Sequence, residues 1–274
     1  MGQQLKRDLK NRHVQLIAIG GTIGTGVFLV SGAALEKAGP SVIFVYLIIG
    51  VALFFVMRSL GEMLLSKSSY QSFTDFASDY IGPWAGYVTG WTYLFCWIMV
   101  AMADIIAVGL YVRYWFDIPQ WIPALACLVI LLSLNLLTVK LFGELEFWFA
   151  IIKVITIIAL IVIGIYMLVI GFQTNTGTVT VSNLWEHGGL FPNGLTGFLF
   201  AFQMVVFSFV GVELVGVTAA ETSNPRKNIP TAINKIPIRV LIFYIGAIFV
   251  ILTINPWTEL NASSSPFVQV FSLV

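Results

Sequence analysis

IAIGGTIGTGVFLVSG, Ile17 to Gly32, lies inside the first long apolar run of the chain and holds Gly20, Gly21, Gly24, Gly26 and Gly32. Each glycine in a helix interior costs about 0.5–1 kcal/mol relative to alanine. A membrane-length helix that carries five needs a reason for them. A nucleotide loop is one reading, but it fails. The dinucleotide fingerprint needs a preceding strand and an acidic residue some 20 positions on, and the Walker pattern needs Gly-Lys-Ser/Thr; the stretch has no lysine. Close helix packing is the second reading. Gly20 and Gly24 form a G-x-x-x-G, extended by Gly21 and Thr25. The third is a helix that breaks at mid-depth. A break exposes N–H groups at the start of one half-helix and C=O groups at the end of the other, suited to a carboxylate and a cation respectively. Irregular backbone at this depth survives only where it lines a cavity.

Composition sets the class. Of 274 residues, 58% are hydrophobic and 10% charged, where a soluble domain carries about 25% charged residues. This is the profile of an all-α polytopic membrane protein. The net charge of +1 gives no hint of nucleic acid. Cys96 and Cys127 both lie in apolar runs and imply no disulfide framework. The basic N-terminus followed by an apolar run resembles a signal peptide. Its run is about 20 residues long, however, and more spans follow, which favours a retained first span.

Spans are predicted at 14–35, 40–60, 84–114, 121–140, 147–171, 194–219 and 236–256. After them, PFVQVFSLV reads as the start of an eighth span that is cut off at Val274. The chain divides into a 1–13 tail, a first unit of five spans over 14–171, and a second unit over 194–274. Orientation follows from the basic residues of the short loops. Lys6, Arg7, Lys10, Arg12, Arg58, Lys67, Lys140, Arg226, Lys227, Lys235 and Arg239 fall on one side, and Lys37 and Arg113 on the other. This predicts a cytoplasmic N-terminus in a plasma-membrane protein. Trp84, Trp115, Trp121, Trp148 and Trp257 sit near span ends, as interfacial anchors do. Between spans two and three, Phe73, Phe76 and Tyr80 recur at helical spacing with Asp75 and Asp79 between them. This segment reads as a short amphipathic helix or as a packed loop.

A second interrupted span in a corresponding position favours the broken-helix reading. Span six supplies one in FSFVGVELVGVTAAE, with Ser208, Gly211, Glu213 and Gly216 inside an apolar run. Spans one and six are five apart, as a five-plus-five inverted repeat requires. The stretches LKNRHVQLIAIGGTIGTGVF, AGPSVIF, RSLGEM, VKLFGELEFWFAIIKV, FSFVGVELVGVTAAE and PWTE resemble the amino acid transporter family of the amino acid–polyamine–organocation superfamily. SFTDFASDYIGPWAGYVTGWTY and MADI are similar to the D-serine/D-alanine/glycine permeases in particular. The resemblance implies a five-plus-five inverted-repeat fold of about twelve helices, of which about the first seven are present here.

The resemblance also implies site residues. Thr22, Ile23, Gly24, Thr25 and Gly26 match the unwound segment of helix one, whose amides near Thr25 and Gly26 would hold a substrate carboxylate. Phe207, Ser208, Val210 and Gly211 match the unwound segment of helix six. Carbonyls there, with that of Thr22 or Ile23, would hold the ammonium. Phe207 would cover the substrate as a gate, or is a lipid- or core-facing aromatic. Lys153 is an ionisable group within span five, which by default marks function; the alternative is a lysine that snorkels to the interface. In the family, a helix-five lysine reaches helix one in place of a sodium ion and couples protons to transport. Glu213 stabilises the break or relays protons. Asp104, in span three, is a similar candidate in a gating or structural role, or simply faces the bundle and bonds a neighbour. Arg58 and Glu62, one turn apart, pair in a gating or structural role. His13 and His187 lack metal-ligand spacing, so no metal or cofactor is expected. Asn261 opens a glycosylation triplet that matters only in a secretory pathway. A membrane enzyme finds no nucleophile–base pair to support it. The implied function is import of small neutral amino acids, D-alanine, D-serine and glycine with L-alanine as a further candidate, by proton symport. The partners are thus an amino acid, a proton and the bilayer. The alternatives are a truncated, inactive product and a permease for larger neutral or aromatic amino acids.

Overall fold

A computed structural model describes residues 20, 23–66, 70, 72–136, 139–214, 225–260 and 265–272. Among them the chain is overwhelmingly helical. The strands β1 (Gln173–Thr174) and β2 (Gly177–Thr178) form one small antiparallel hairpin.

The apolar runs become helices. A π-helical turn over Gly26–Val30 leads into the helix Ser31–Ala38. Gly39, at φ 58°, ends it, and Pro40 follows in a 3-10 turn that opens the second span, Val42–Ser66. That span has 25 residues, or about 37 Å at 1.5 Å per residue, enough to cross a hydrocarbon core of about 30 Å. Span three is Pro83–Trp115, with its proline in the first turn, where no N–H is missed. Span five lies within Val139–Ile170. Four stretches among the described residues are helical and apolar for long enough to cross a membrane: Gly26–Ser66, Pro83–Trp115, Glu144–Ile170 and Arg226–Ile254. Two helices are shorter than the sequence predicts. Trp121–Asn135 has 15 residues, because a turn follows at Leu136 and the next helix begins at Val139. Gly194–Phe207 has 14, because span six is interrupted from Ser208 onward.

The segment between spans two and three is a helix, Phe73–Tyr80. At its start the Ser72 amide donates to Asp75 Oδ2 at 3.1 Å, half of a capping box. Phe76 is buried and meets Tyr70 edge-on at 5.2 Å.

Spans one, two, six and seven meet in the buried core, with span five against them. Tyr46, Ala201, Val205, Tyr244, Ile248 and Ile251 are all buried there. Span three instead exposes Trp84, Tyr87, Trp91, Leu94, Phe95 and Ile98. An apolar surface this continuous suits lipid rather than water.

The segment between spans five and six works as a strap. The Thr180 amide and the Asn183 side chain both donate to the Thr253 carbonyl, at 3.1 and 3.0 Å. The Trp257 indole donates to the His187 carbonyl at 2.9 Å. Asn193 Nδ2 donates to the Glu36 and Lys37 carbonyls at 3.1 and 3.0 Å. Those two carbonyls lie in the last turn of Ser31–Ala38, where no further turn could bond them.

Candidate functional site

Helix one breaks where its glycines crowd. Gly20 is helical, Ile23 and Gly24 form a bend, and helix runs on from Thr25. The Gly24 carbonyl accepts the Val27 amide at 3.0 Å and the Phe28 amide at 3.2 Å, which closes the first turn of the half-helix after the break. The glycines separate by neighbour. A Cβ on Gly20 would lie 2.3 Å from the Ala150 Cβ, so Gly20 serves close packing against span five. A Cβ on Gly24 would meet nothing within 4 Å. One on Gly26 would lie 2.4 Å from the Ser208 Cα and 2.8 Å from the Phe207 carbonyl oxygen. Gly26 therefore lets the two breaks touch backbone to backbone.

Helix six breaks differently. After Phe207 the chain makes a run of tight turns. Val210 bonds back to Phe207 at 3.3 Å, Val212 to Phe209 at 3.2 Å and Leu214 to Gly211 at 3.1 Å. Gly211 sits at φ 94°, a conformation that side-chain-bearing residues avoid. Its amide donates to Glu213 Oε2 at 3.0 Å, and the Tyr93 hydroxyl of span three donates to Glu213 Oε1 at 3.4 Å. The carboxylate is thereby given two donors inside an apolar span, as its cost at that depth demands.

Of the predicted site residues, Ile23 and Ser208 are buried, and Gly24, Thr25, Phe207 and Val210 are half-buried. Thr22 lies outside the described residues, as do His13 and Asn261. Ser208 Oγ donates to the Gly26 carbonyl at 2.8 Å. Lys153 turns inward, and its Nζ donates to the Gly20 carbonyl at 3.3 Å. Asp104 accepts the Thr25 hydroxyl, and Asp104 and Glu146 are within electrostatic reach of Lys153. Arg58 and Glu62 pair at 3.6 Å on an exposed helix face, apart from the breaks. An exposed pair of this kind contributes about 0–1 kcal/mol. Among the described residues no cluster of His, Cys, Asp and Glu could hold a metal ion. Sequence reasoning missed Tyr46, Tyr93 and Tyr244, whose hydroxyls all reach helix six. A phenol in a span carries a polar atom that needs a partner, but its sequence does not separate it from an interfacial anchor.

Comparison with known proteins places the chain in a family. Residues 13–274 match the amino acid permease family. The chain is 63% identical over 273 residues to the amino-acid permease AapA of Bacillus subtilis (strain 168), covering 99% of this chain and 59% of the relative. It is 57% identical over 274 residues to the D-serine/D-alanine/glycine transporter of Escherichia coli (strain K12), covering 99% and 58%. To the aromatic amino acid transport protein AroP of the same strain it is 49% identical over 272 residues, covering 98% and 59%. The chain thus spans about three-fifths of the length of the curated relatives it matches. With its apolar helices and a match over nearly its whole length, this chain is a membrane protein that belongs to the amino acid permease family.

Proposed function

We propose that the whole protein carries small neutral amino acids, with D-alanine, D-serine and glycine foremost and L-alanine as a further substrate, inward across the cytoplasmic membrane with protons. The observation that carries this reading is the meeting of the two breaks, Gly26 against Phe207 and Ser208, beside open space at Gly24. A zwitterion suits such a place. The amides near Thr25 and Gly26, at the N-terminal end of a half-helix, favour its carboxylate, and carbonyls of the helix-six turns favour its ammonium. The 57% identity to a D-serine/D-alanine/glycine transporter supports a small side chain. Its distribution of Lys and Arg supports a cytoplasmic N-terminus.

Proton coupling is assigned to Lys153. Its ammonium bridges span five to the inner side of the helix-one break through the Gly20 carbonyl, and loss of its proton would release that tie. In proteoliposomes holding the whole protein, Lys153→Met is expected to abolish accumulation driven by a pH gradient while leaving counterflow. Undiminished pH-driven accumulation in the variant would sink the coupling role. Substrate class is decided by counterflow with D-alanine, glycine, L-phenylalanine and L-lysine. A second reading, a carrier of larger or aromatic amino acids, is favoured by the 49% identity to AroP. Preference for L-phenylalanine would establish it over the first.

A further inference from the structure

Tyr46 in span two and Tyr244 in span seven are almost completely buried, 1% and 2% exposed. Burying a hydroxyl is costly unless it is hydrogen-bonded. Both hydroxyls go to the same residue from different helices. Tyr46 Oη lies 3.1 Å from Ser208 Oγ, and Tyr244 Oη donates to the Ser208 carbonyl at 3.2 Å. Proton counting fixes the direction of the first bond. Ser208 has one hydroxyl proton and gives it to the Gly26 carbonyl. Tyr46 is therefore the donor to Ser208 Oγ. The result is a directed chain, Tyr46 to Ser208 to Gly26, with Tyr244 holding the same serine by its backbone.

The rings hold the hydroxyls in place. Phe209 stacks on Tyr244 with centroids 4.7 Å apart and planes 2° apart. Tyr46 tilts against both, at 5.9 Å from Phe209 and 5.8 Å from Tyr244. Spans two and seven thus grip the residue by which helix six touches helix one.

We propose that Tyr46 and Tyr244 are positioning residues of the substrate site. They hold Ser208 from two sides and, through its hydroxyl, dock the helix-six break onto Gly26 of the helix-one break. This rests on the reading of the two breaks as an amino acid site. Neither tyrosine need touch the substrate. Each fixes the distance between backbone groups that do, and a ligand held by backbone dipoles loses affinity when those dipoles drift.

The test uses the whole protein in proteoliposomes, with D-alanine and glycine as probes. Tyr46→Phe and Tyr244→Phe each remove one oxygen and leave the rings stacked, so either single variant suffices. Each is expected to raise KM for counterflow about three- to tenfold, the loss of one hydrogen bond, with the maximal rate within about twofold. Tyr46→Phe combined with Ser208→Ala is expected to cost no more than Ser208→Ala alone, because both act on one chain of bonds. Hydrogen exchange of the amides at 24–28 and 208–211 is expected to quicken in each variant. Unchanged KM overturns the proposal, even with faster exchange, since that pattern belongs to a merely structural pair. Additive losses in the double variant overturn it too. If the unmodified protein exchanges no amino acid at all, the carrier reading fails, and the docking is then judged by exchange alone. Faster exchange in the variants upholds it and unchanged exchange refutes it.

Discussion

Within the opening stretch, glycines two or four residues apart serve different ends. Gly20 packs on Ala150, Gly24 borders open space and Gly26 abuts the helix-six backbone. Alanine is therefore expected to act differently at each. Gly26→Ala places a methyl 2.4 Å from a backbone carbon that no rotamer change can move. Overpacking of this kind costs about 1–3 kcal/mol. The variant should lose thermal stability in detergent and lose transport. Gly24→Ala meets nothing within 4 Å. It should keep its stability and change only the apparent affinity for substrate, as thermal unfolding and counterflow read side by side would check. The sequence could weigh helix packing against helix breakage for these glycines but could not allot them, because spacing says nothing about which partner stands opposite. Lys153 was more legible. An ionisable group in an apolar run left two readings, a side chain that snorkels to the interface and one that turns inward, and the family resemblance pointed to the second; its Nζ reaches the Gly20 carbonyl. Tyr46 and Tyr244 were not legible. In sequence, a tyrosine in a span cannot be told from an interfacial anchor, and their shared partner is 162 and 36 residues away.

At the scale of elements, the two breaks differ in how they stay open. The helix-six break carries its own brace, since Glu213 accepts the amide of Gly211 two residues before it and is held by Tyr93 from span three. Glu213→Gln keeps an acceptor oxygen for that amide, whereas Glu213→Ala leaves it unpaired, at about 1–3 kcal/mol. The glutamine variant is expected to fold and to transport at a reduced rate. The alanine variant should be clearly less stable by thermal unfolding, and equal stability of the two would refute the brace. Gly211→Ala should be destabilised by about 1–2 kcal/mol through φ alone, because a Cβ at 94° clashes with its own backbone. The break itself was legible from Ser208, Gly211 and Glu213 in an apolar run. Its extent was not. The expected span over 194–219 ends its regular helix at Phe207, because backbone dihedrals beyond that point are set by contacts with helix one and with Tyr244.

Across the molecule, the all-α membrane class was readable from apolar runs alone, while the five-plus-five arrangement came from the paired breaks and the family resemblance. The assembly of spans one, two, six and seven around Tyr46 and Tyr244 was not readable, since it depends on contacts far apart in the chain. The strap between spans five and six is of the same kind. Asn193 bonds carbonyls 156 and 157 residues before it, and Asn183 bonds one 70 residues after it. Asn193→Ala strips the Glu36 and Lys37 carbonyls of their donor and is expected to cost about 1 kcal/mol. It should be seen as faster thermal inactivation with the substrate KM unchanged.

That strap has a mechanical consequence. It fastens the far end of the half-helix after the break, at Glu36 and Lys37, and the far end of span seven, at Thr253, to one short piece of chain. Both ends thus answer to the same few hydrogen bonds, each contributing about 1 kcal/mol, so a displacement of either helix end is felt by the other through one short piece of chain.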